Sequence, residues 1–235
     1  LGHGVDKDEE VAISWFRKAV NQGITAAHHN LGVMYEIGSF RDFEAAAKHY
    51  RIAAEGGWTE AQTALGKLYQ HGRGVARDYR EAAKWLEKAA VEHDPEAQFL
   101  LGVFYANGWG VERDNGEMLH WVRQSARQGY PKALFHVGLA YDQGRGIARN
   151  LAYAVRFYKV AAKKGSIRAQ SRLGEMYFVG LGVEQNYEVA LALLNKAAAA
   201  EEARAQFVLG YAYHAGKGVE KNAERGIAYL RRAAE

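Results

Sequence analysis

The phrase LGVFYANGWGVERDNGE, from Leu101 to Glu117, returns along the chain. It reads LGKLYQHGRGVARDYRE from Leu65, VGLAYDQGRGIARNLAY from Val137, LGEMYFVGLGVEQNYEV from Leu173 and LGYAYHAGKGVEKNAER from Leu209. A shorter copy, LGVMYEIGSFRDFEA, begins at Leu31. The leading glycines are Gly32, Gly66, Gly102, Gly138, Gly174 and Gly210, spaced 34, 36, 36, 36 and 36 residues apart. A fixed period of this size means an array of small units, each burying its apolar face against its neighbours. It also removes the reading of GWGV as a phosphate-binding loop. Such a loop is needed once, and a glycine repeated six times serves the backbone.

Within each copy the residues sort into two helices. Counting from the leading glycine, Ala recurs at −5, Leu or Val at −1 and Tyr at +3, as in Ala169, Leu173 and Tyr177. At about 100° per residue these positions share one side of a helix, here called A. A second glycine at +6 suits the left-handed residue that closes a helix. A short loop follows, and then an Asp or Asn in every copy: Asp8, Asp42, Asp78, Asp114, Asn150, Asn186 and Asn222. These residues are strong N-caps and mark the start of helix B. Helix B carries a bulky residue seven places after the cap and small residues at 11 and 12, the alternation by which helices interlock. Gly23, Gly57, Gly129 and Gly165 close helix B; His93 and Glu201 take that place in two copies, where a different turn is expected.

With two prolines and abundant alanine, the chain favours helix. It has no run of 18 apolar residues and no cysteine, so no transmembrane segment and no disulfide framework is expected. The net charge of +4 is spread over helix ends, for example Lys163, Lys164 and Lys196, where cations oppose the helix dipole. That placement argues against nucleic acid as a partner. The opening LGHGVDKDEE matches the middle of a repeat, so the chain is expected to be an excerpt of a longer array. The periplasm, the exterior and the cytoplasm all stay open as its location.

The unit AQFLLGVFYANGWGVERD, followed by helices of the AAKWLEKAA type, resembles the Sel-one-like repeat family, a relative of the tetratricopeptide repeat. The resemblance runs through the whole chain. It implies an all-α fold, a right-handed α-α superhelix (solenoid) of antiparallel helix pairs with a 36-residue period. It also implies that A helices line the concave side, and that the protein is a scaffold or adaptor of bacterial type rather than an enzyme. Its cysteine-rich branch is excluded. The expected organisation is a single array over 1–235. Residues 1–23 hold the second helix of a truncated repeat, and repeats follow at about 24–57, 58–93, 94–129, 130–165, 166–201 and 202–235.

No catalytic motif, metal-ligand set or cofactor loop appears. His28 and His29 are adjacent and diverge, while His71 and His214 lie in different copies. The expected partner is a protein or peptide in the groove; the alternative is a small ligand or glycan linked to an envelope enzyme. Positions −3, +1, +4 and +5 of helix A fall opposite its packing side. They place Phe99, Val103, Phe135, Leu139, Phe178, Phe207 and Tyr211 in the groove, with Phe99, Val103, Phe135 and Leu139 as a mid-groove apolar patch. Burial against the next repeat is the competing reading of that patch. Position −6 changes from Glu60 and Glu96 to Lys132, Arg168 and Arg204, which suggests a partner with acidic groups at the C-terminal half.

Overall fold

A computed structural model describes residues 8–235. Thirteen helices follow one another, and no strand occurs among the described residues. B helices are α1 (Glu9–Asn21), α3 (Phe43–Glu55), α5 (Tyr79–Val91), α7 (Asn115–Arg127), α9 (Leu151–Lys163), α11 (Tyr187–Ala199) and α13 (Ala223–Ala234). A helices are α2 (Thr25–Ile37), α4 (Thr59–His71), α6 (Pro95–Asn107), α8 (Pro131–Gln143), α10 (Ile167–Val179) and α12 (Ala203–Ala215). The architecture is an all-α solenoid of consecutive helix pairs led by a lone B helix. The chain divides into two compact units, residues 1–121 and 122–235, with the division inside α7. None of the described helices is long and apolar enough to cross a membrane. The loop expected before Asp8 lies outside the described residues.

Each boundary has a chemical cause. The side chains of Asp8, Asp42, Asp78, Asp114, Asn150, Asn186 and Asn222 each accept a backbone N–H of the following turn, so all seven cap a B helix. The loop is fastened at its other end: the cap N–H donates to the carbonyl of the signature Tyr, as in Asn186 to Tyr177 at 2.9 Å. Both prolines stand at the first turn of an A helix, where the missing N–H costs nothing. Gly72, Gly108, Gly144, Gly180 and Gly216 close A helices in the left-handed conformation. Gly38 differs, with φ −74 and ψ 176, because its loop is two residues shorter and runs straight on to Asp42. His93 (φ 65) and Glu201 (φ 59) keep the left-handed turn of the glycines they replace, so the different turn expected there is not formed.

Packing explains the leading glycine. A Cβ on Gly174 would stand 2.8 Å from Leu194 Cγ, and one on Gly32 would meet Tyr50. These partners lie eight residues after the cap. The residue at seven, singled out above for interlocking, instead stacks on the signature Tyr: His49 on Tyr35, Phe157 on Tyr141 and Tyr229 on Tyr213. Core position +2 of helix A, absent from the sequence pattern, is fully buried at Leu68, Phe104 and Met176. In unit 1 apolar clusters gather around Tyr50 and Leu65 and around Leu86 and Phe104. In unit 2 an apolar cluster gathers around Leu194 and Leu209.

Candidate functional site

In unit 2 the A helices α8, α10 and α12 border a pocket of about 370 Å³. Phe135, Leu139, Asp142 and Gln143 come from α8, Arg168, Ser171 and Arg172 from α10, and Glu202 and Arg204 from the start of α12. Its walls are tied together by charge-assisted bonds. Arg172 donates through Nε to Asp142 Oδ2 at 2.8 Å and through Nη1 to Glu175 Oε2 at 2.7 Å. Arg204 grips Glu175 with two bonds, 2.7 and 2.6 Å. Tyr158 Oη donates to Asp142, a carboxylate that is only 4% exposed. Burial works to raise the pKa of Glu175, but bonds from Arg204 and Arg172 outweigh it and hold it below the usual carboxylate value. Burial works to lower the pKa of Arg172, but its bonds to Asp142 and Glu175 outweigh that and hold it above the usual guanidinium value.

Arg168 is different. Its guanidinium lies over the Phe135 ring, 5.1 Å from the centroid, and no carboxylate among the described residues pairs with it. It is a cation held in place by an aromatic face with its hydrogen-bonding edge unused. Beside it, burial first and the Arg168 charge second push His136 down to about 4.

The residues predicted for the groove divide three ways. Phe99 and Phe135 are each 7% exposed and Phe178 is 4% exposed, so these rings are packing residues and do not form an open patch. In unit 2 the physical reason is packing within and between repeats: Phe135 meets Tyr158 of its own repeat and lies under Arg168 of the next A helix, and Phe178 meets Tyr187 of its own repeat and Tyr211 of the next. Val103 and Leu139 are half-buried. Arg168, Arg204, Phe207 and Tyr211 are exposed. Phe207 occupies the register of Phe135 and is exposed, with no A helix after α12 among the described residues. The structure brings Phe135, Leu139, Arg168 and Arg204 to one pocket. Groove positions +4 and +1 also hold Asp142 and Glu175; sequence reasoning missed Arg172 and the pairing of these groups, which depends on contacts about 30 residues apart.

The model of the Sel1 repeat matches residues 1–24, 25–58, 59–90, 95–130, 131–166, 167–201 and 203–235. The chain belongs to the Sel1 repeat family. It is similar to c5321, a protective antigen of uropathogenic Escherichia coli strains with an SLR fold, at 34% identity and a TM-score of 0.87, over 99% of this chain and 50% of that one. The chain therefore spans half the length of that protein. A Sel1 repeat protein from Oxalobacter formigenes is also 34% identical, with a TM-score of 0.83 over 89% of this chain and 87% of its own. The immunity protein Pa5087 from Pseudomonas aeruginosa, 19% identical with a TM-score of 0.55 over 95% of this chain and 81% of its own, shares the fold. No curated protein matches the chain. Sel1 repeat proteins are generally protein-interaction scaffolds, and the fold is typically non-enzymatic.

As a Sel1 repeat array the chain explains its other conspicuous residues by packing. Trp109 stacks on Tyr79 and stands edge-on to Phe104. His28 and His49 face each other with Nδ1 atoms 2.9 Å apart. Among the described residues no group of three metal-ligating side chains converges.

Proposed function

We propose that the chain is an interaction scaffold that takes a protein or peptide segment along the A-helix face, with the unit 2 pocket as an anchoring point. The observation that supports this reading is Arg168, a guanidinium positioned by Phe135 and without a carboxylate partner, at the mouth of a pocket whose other cations are paired. A carboxylate of the bound segment completes its hydrogen bonding, and Leu139 offers an adjacent apolar contact. Arg204 is engaged by Glu175 and contributes through its apolar stem and residual charge. No specific observation favours the glycan or small-ligand alternative.

The test is capture from a native cell, compared with Arg168→Ala and Leu139→Ala. Arg168 is exposed and Leu139 only half-buried, so the melting temperature falls little while the captured partner is lost and its salt dependence weakens. A partner that binds both variants with unchanged affinity and salt dependence rules the pocket out.

A further inference from the structure

A second site lies in unit 2 between the B helices α9 and α11, where one repeat differs in two ways from the pattern that Tyr35 and Tyr141 share. The first departure is at the signature Tyr hydroxyl. Tyr35, Tyr69 and Tyr141 each accept a hydrogen bond from an arginine 18 residues earlier: Arg17 at 2.8 Å, Arg51 at 2.6 Å and Arg123 at 2.9 Å. At Tyr177 that arginine is replaced by Lys159, whose Nζ lies 5.5 Å from the ring centroid. The second departure is at the ring face. His49, Phe157 and Tyr229 cover the faces of Tyr35, Tyr141 and Tyr213 at centroid distances of 5.7 to 5.8 Å. The corresponding residue for Tyr177 is Leu193, followed in the cleft by Ala192 and Val189 in place of any ring.

The missing ring leaves a cleft of about 470 Å³ floored by Gln170, Leu173 and Tyr177. Lys159, Lys163 and Lys196 stand at its rim against one carboxylate, Glu188. Unit 2 as a whole has 18 Lys and Arg against 9 Asp and Glu. This cleft uses a different side of α10 from the groove pocket, which takes Arg168, Ser171 and Arg172.

We propose that the cleft docks an acidic peptide segment of a partner protein through one aromatic side chain. The ring stacks on Tyr177 where the other repeats supply their own aromatic, and the flanking carboxylates meet Lys163 and Lys196. An acidic segment without an aromatic has only exposed lysines to hold it, which salt screens. A basic segment is opposed by the rim.

The test titrates the amidated pentapeptide Glu-Glu-Trp-Glu-Glu into the whole chain by calorimetry, beside Glu-Glu-Ala-Glu-Glu. The tryptophan peptide is expected to bind at least about tenfold more tightly than the alanine peptide. Leu193→Trp supplies the missing ring from within and should weaken binding by at least about tenfold without lowering the melting temperature. If that variant folds poorly, Leu193→Phe places the ring that Phe157 already carries in the preceding repeat. Lys163→Glu with Lys196→Glu should weaken binding to a similar degree and flatten its salt dependence. Arg168→Ala should leave it unchanged, which separates this cleft from the groove. Equal binding of the two peptides, full binding to a folded Leu193→Trp or Leu193→Phe variant, loss of binding in Arg168→Ala, or no heat of binding at millimolar peptide each overturns the proposal.

Discussion

Between α4 and α6 in the first unit, and between α10 and α12 in the second, the same two rungs join successive A helices. In unit 1, Thr63 Oγ1 donates to the cap carboxylate of Asp94 at 3.2 Å and Lys67 Nζ meets Glu96 at 3.2 Å. In unit 2, Ser171 Oγ donates to the cap carboxylate of Glu202 at 2.5 Å and Glu175 meets Arg204 at 2.6 Å. The positions are the same, and the signs of the second rung are reversed. Unit 1 carries 13 Lys and Arg against 18 Asp and Glu, whereas unit 2 carries 18 against 9. The comparison teaches that the repeat specifies where a rung stands and leaves its sign free.

That freedom corrects the meaning of the change at position −6. Glu96 favours the positive start of its helix, and Arg204 opposes it. Read alone, Arg204 calls for an external acid. Glu175 supplies that acid from the preceding repeat. Arg168 has Leu139 at the matching place and therefore has no carboxylate partner, which is why the proposed site is centred on it.

The largest effect tests whether position −3 belongs to the seam between repeats whatever residue fills it. Thr63, Phe99, Phe135 and Ser171 are all buried there. Phe135→Ala should cost about 3–5 kcal/mol in chemical unfolding. Phe207→Ala, at the same register but 58% exposed, should cost under about 1 kcal/mol. Equal losses would end the distinction between a covered seam and an open one.

Acid should expose a second contrast. In unit 1, burial lowers the pKa of His28, His29 and His49; in unit 2, burial and Arg168 push His136 down to about 4. Unfolded histidine binds its proton near pH 6.5, so between that value and about 4 the unfolded chain holds more protons than the folded one. Stability therefore falls as pH drops through this window and levels off below the folded value. His136 alone accounts for up to about 3 kcal/mol. Urea midpoints measured near pH 7 and pH 4.5 should converge for His136→Gln relative to the parent protein.

The sequence made helix boundaries legible because caps and closing glycines act within a few residues. Seven Asp and Asn caps mark seven B helices, and the glycine at +6 marks the A-helix ends. The core was only partly legible. A projection of one helix favours Tyr at +3, yet the tyrosines are half-buried with their hydroxyls at the edge, and position +2 is the deeper one. The groove was least legible. Position −3 touches its own B helix, as Phe135 meets Tyr158, but part of its cover comes from the next A helix one repeat later, as Arg168 lies over Phe135. The pairing of Asp142, Arg172, Glu175 and Arg204 depends on similarly distant contacts.

A smaller effect checks the one left-handed turn in each unit that lacks glycine. Glu201 at φ 59 bears the steric cost of a Cβ in that conformation. Glu201→Gly should raise stability by about 1 kcal/mol, after allowing for the greater chain entropy of glycine. A loss of stability would mean that the Glu201 side chain contributes more than its backbone costs.

The smallest effect bears on the comparison itself. Lys67 and Glu96 are each 37% exposed, so solvent screens their attraction and the pair contributes about 0.2–1 kcal/mol. Lys67→Glu places two carboxylates together and Glu96→Lys places two ammonium groups together; each should cost about 0.5–1 kcal/mol. The double exchange recreates in unit 1 the sign found in unit 2. It should recover most of the loss and stay short of the parent protein by the dipole contribution of Glu96, about 0.3–1 kcal/mol. Added salt should shrink the coupling, since both groups face water. A double-mutant cycle on melting temperature or urea midpoint measures it. Strictly additive losses would mean that the rung contributes nothing by charge, and that the reversal between units is drift on a tolerant surface. A positive coupling with recovery in the double variant means that selection on one rung residue is felt by its partner 29 positions away, which makes the change from acidic to basic along position −6 a property of pairs.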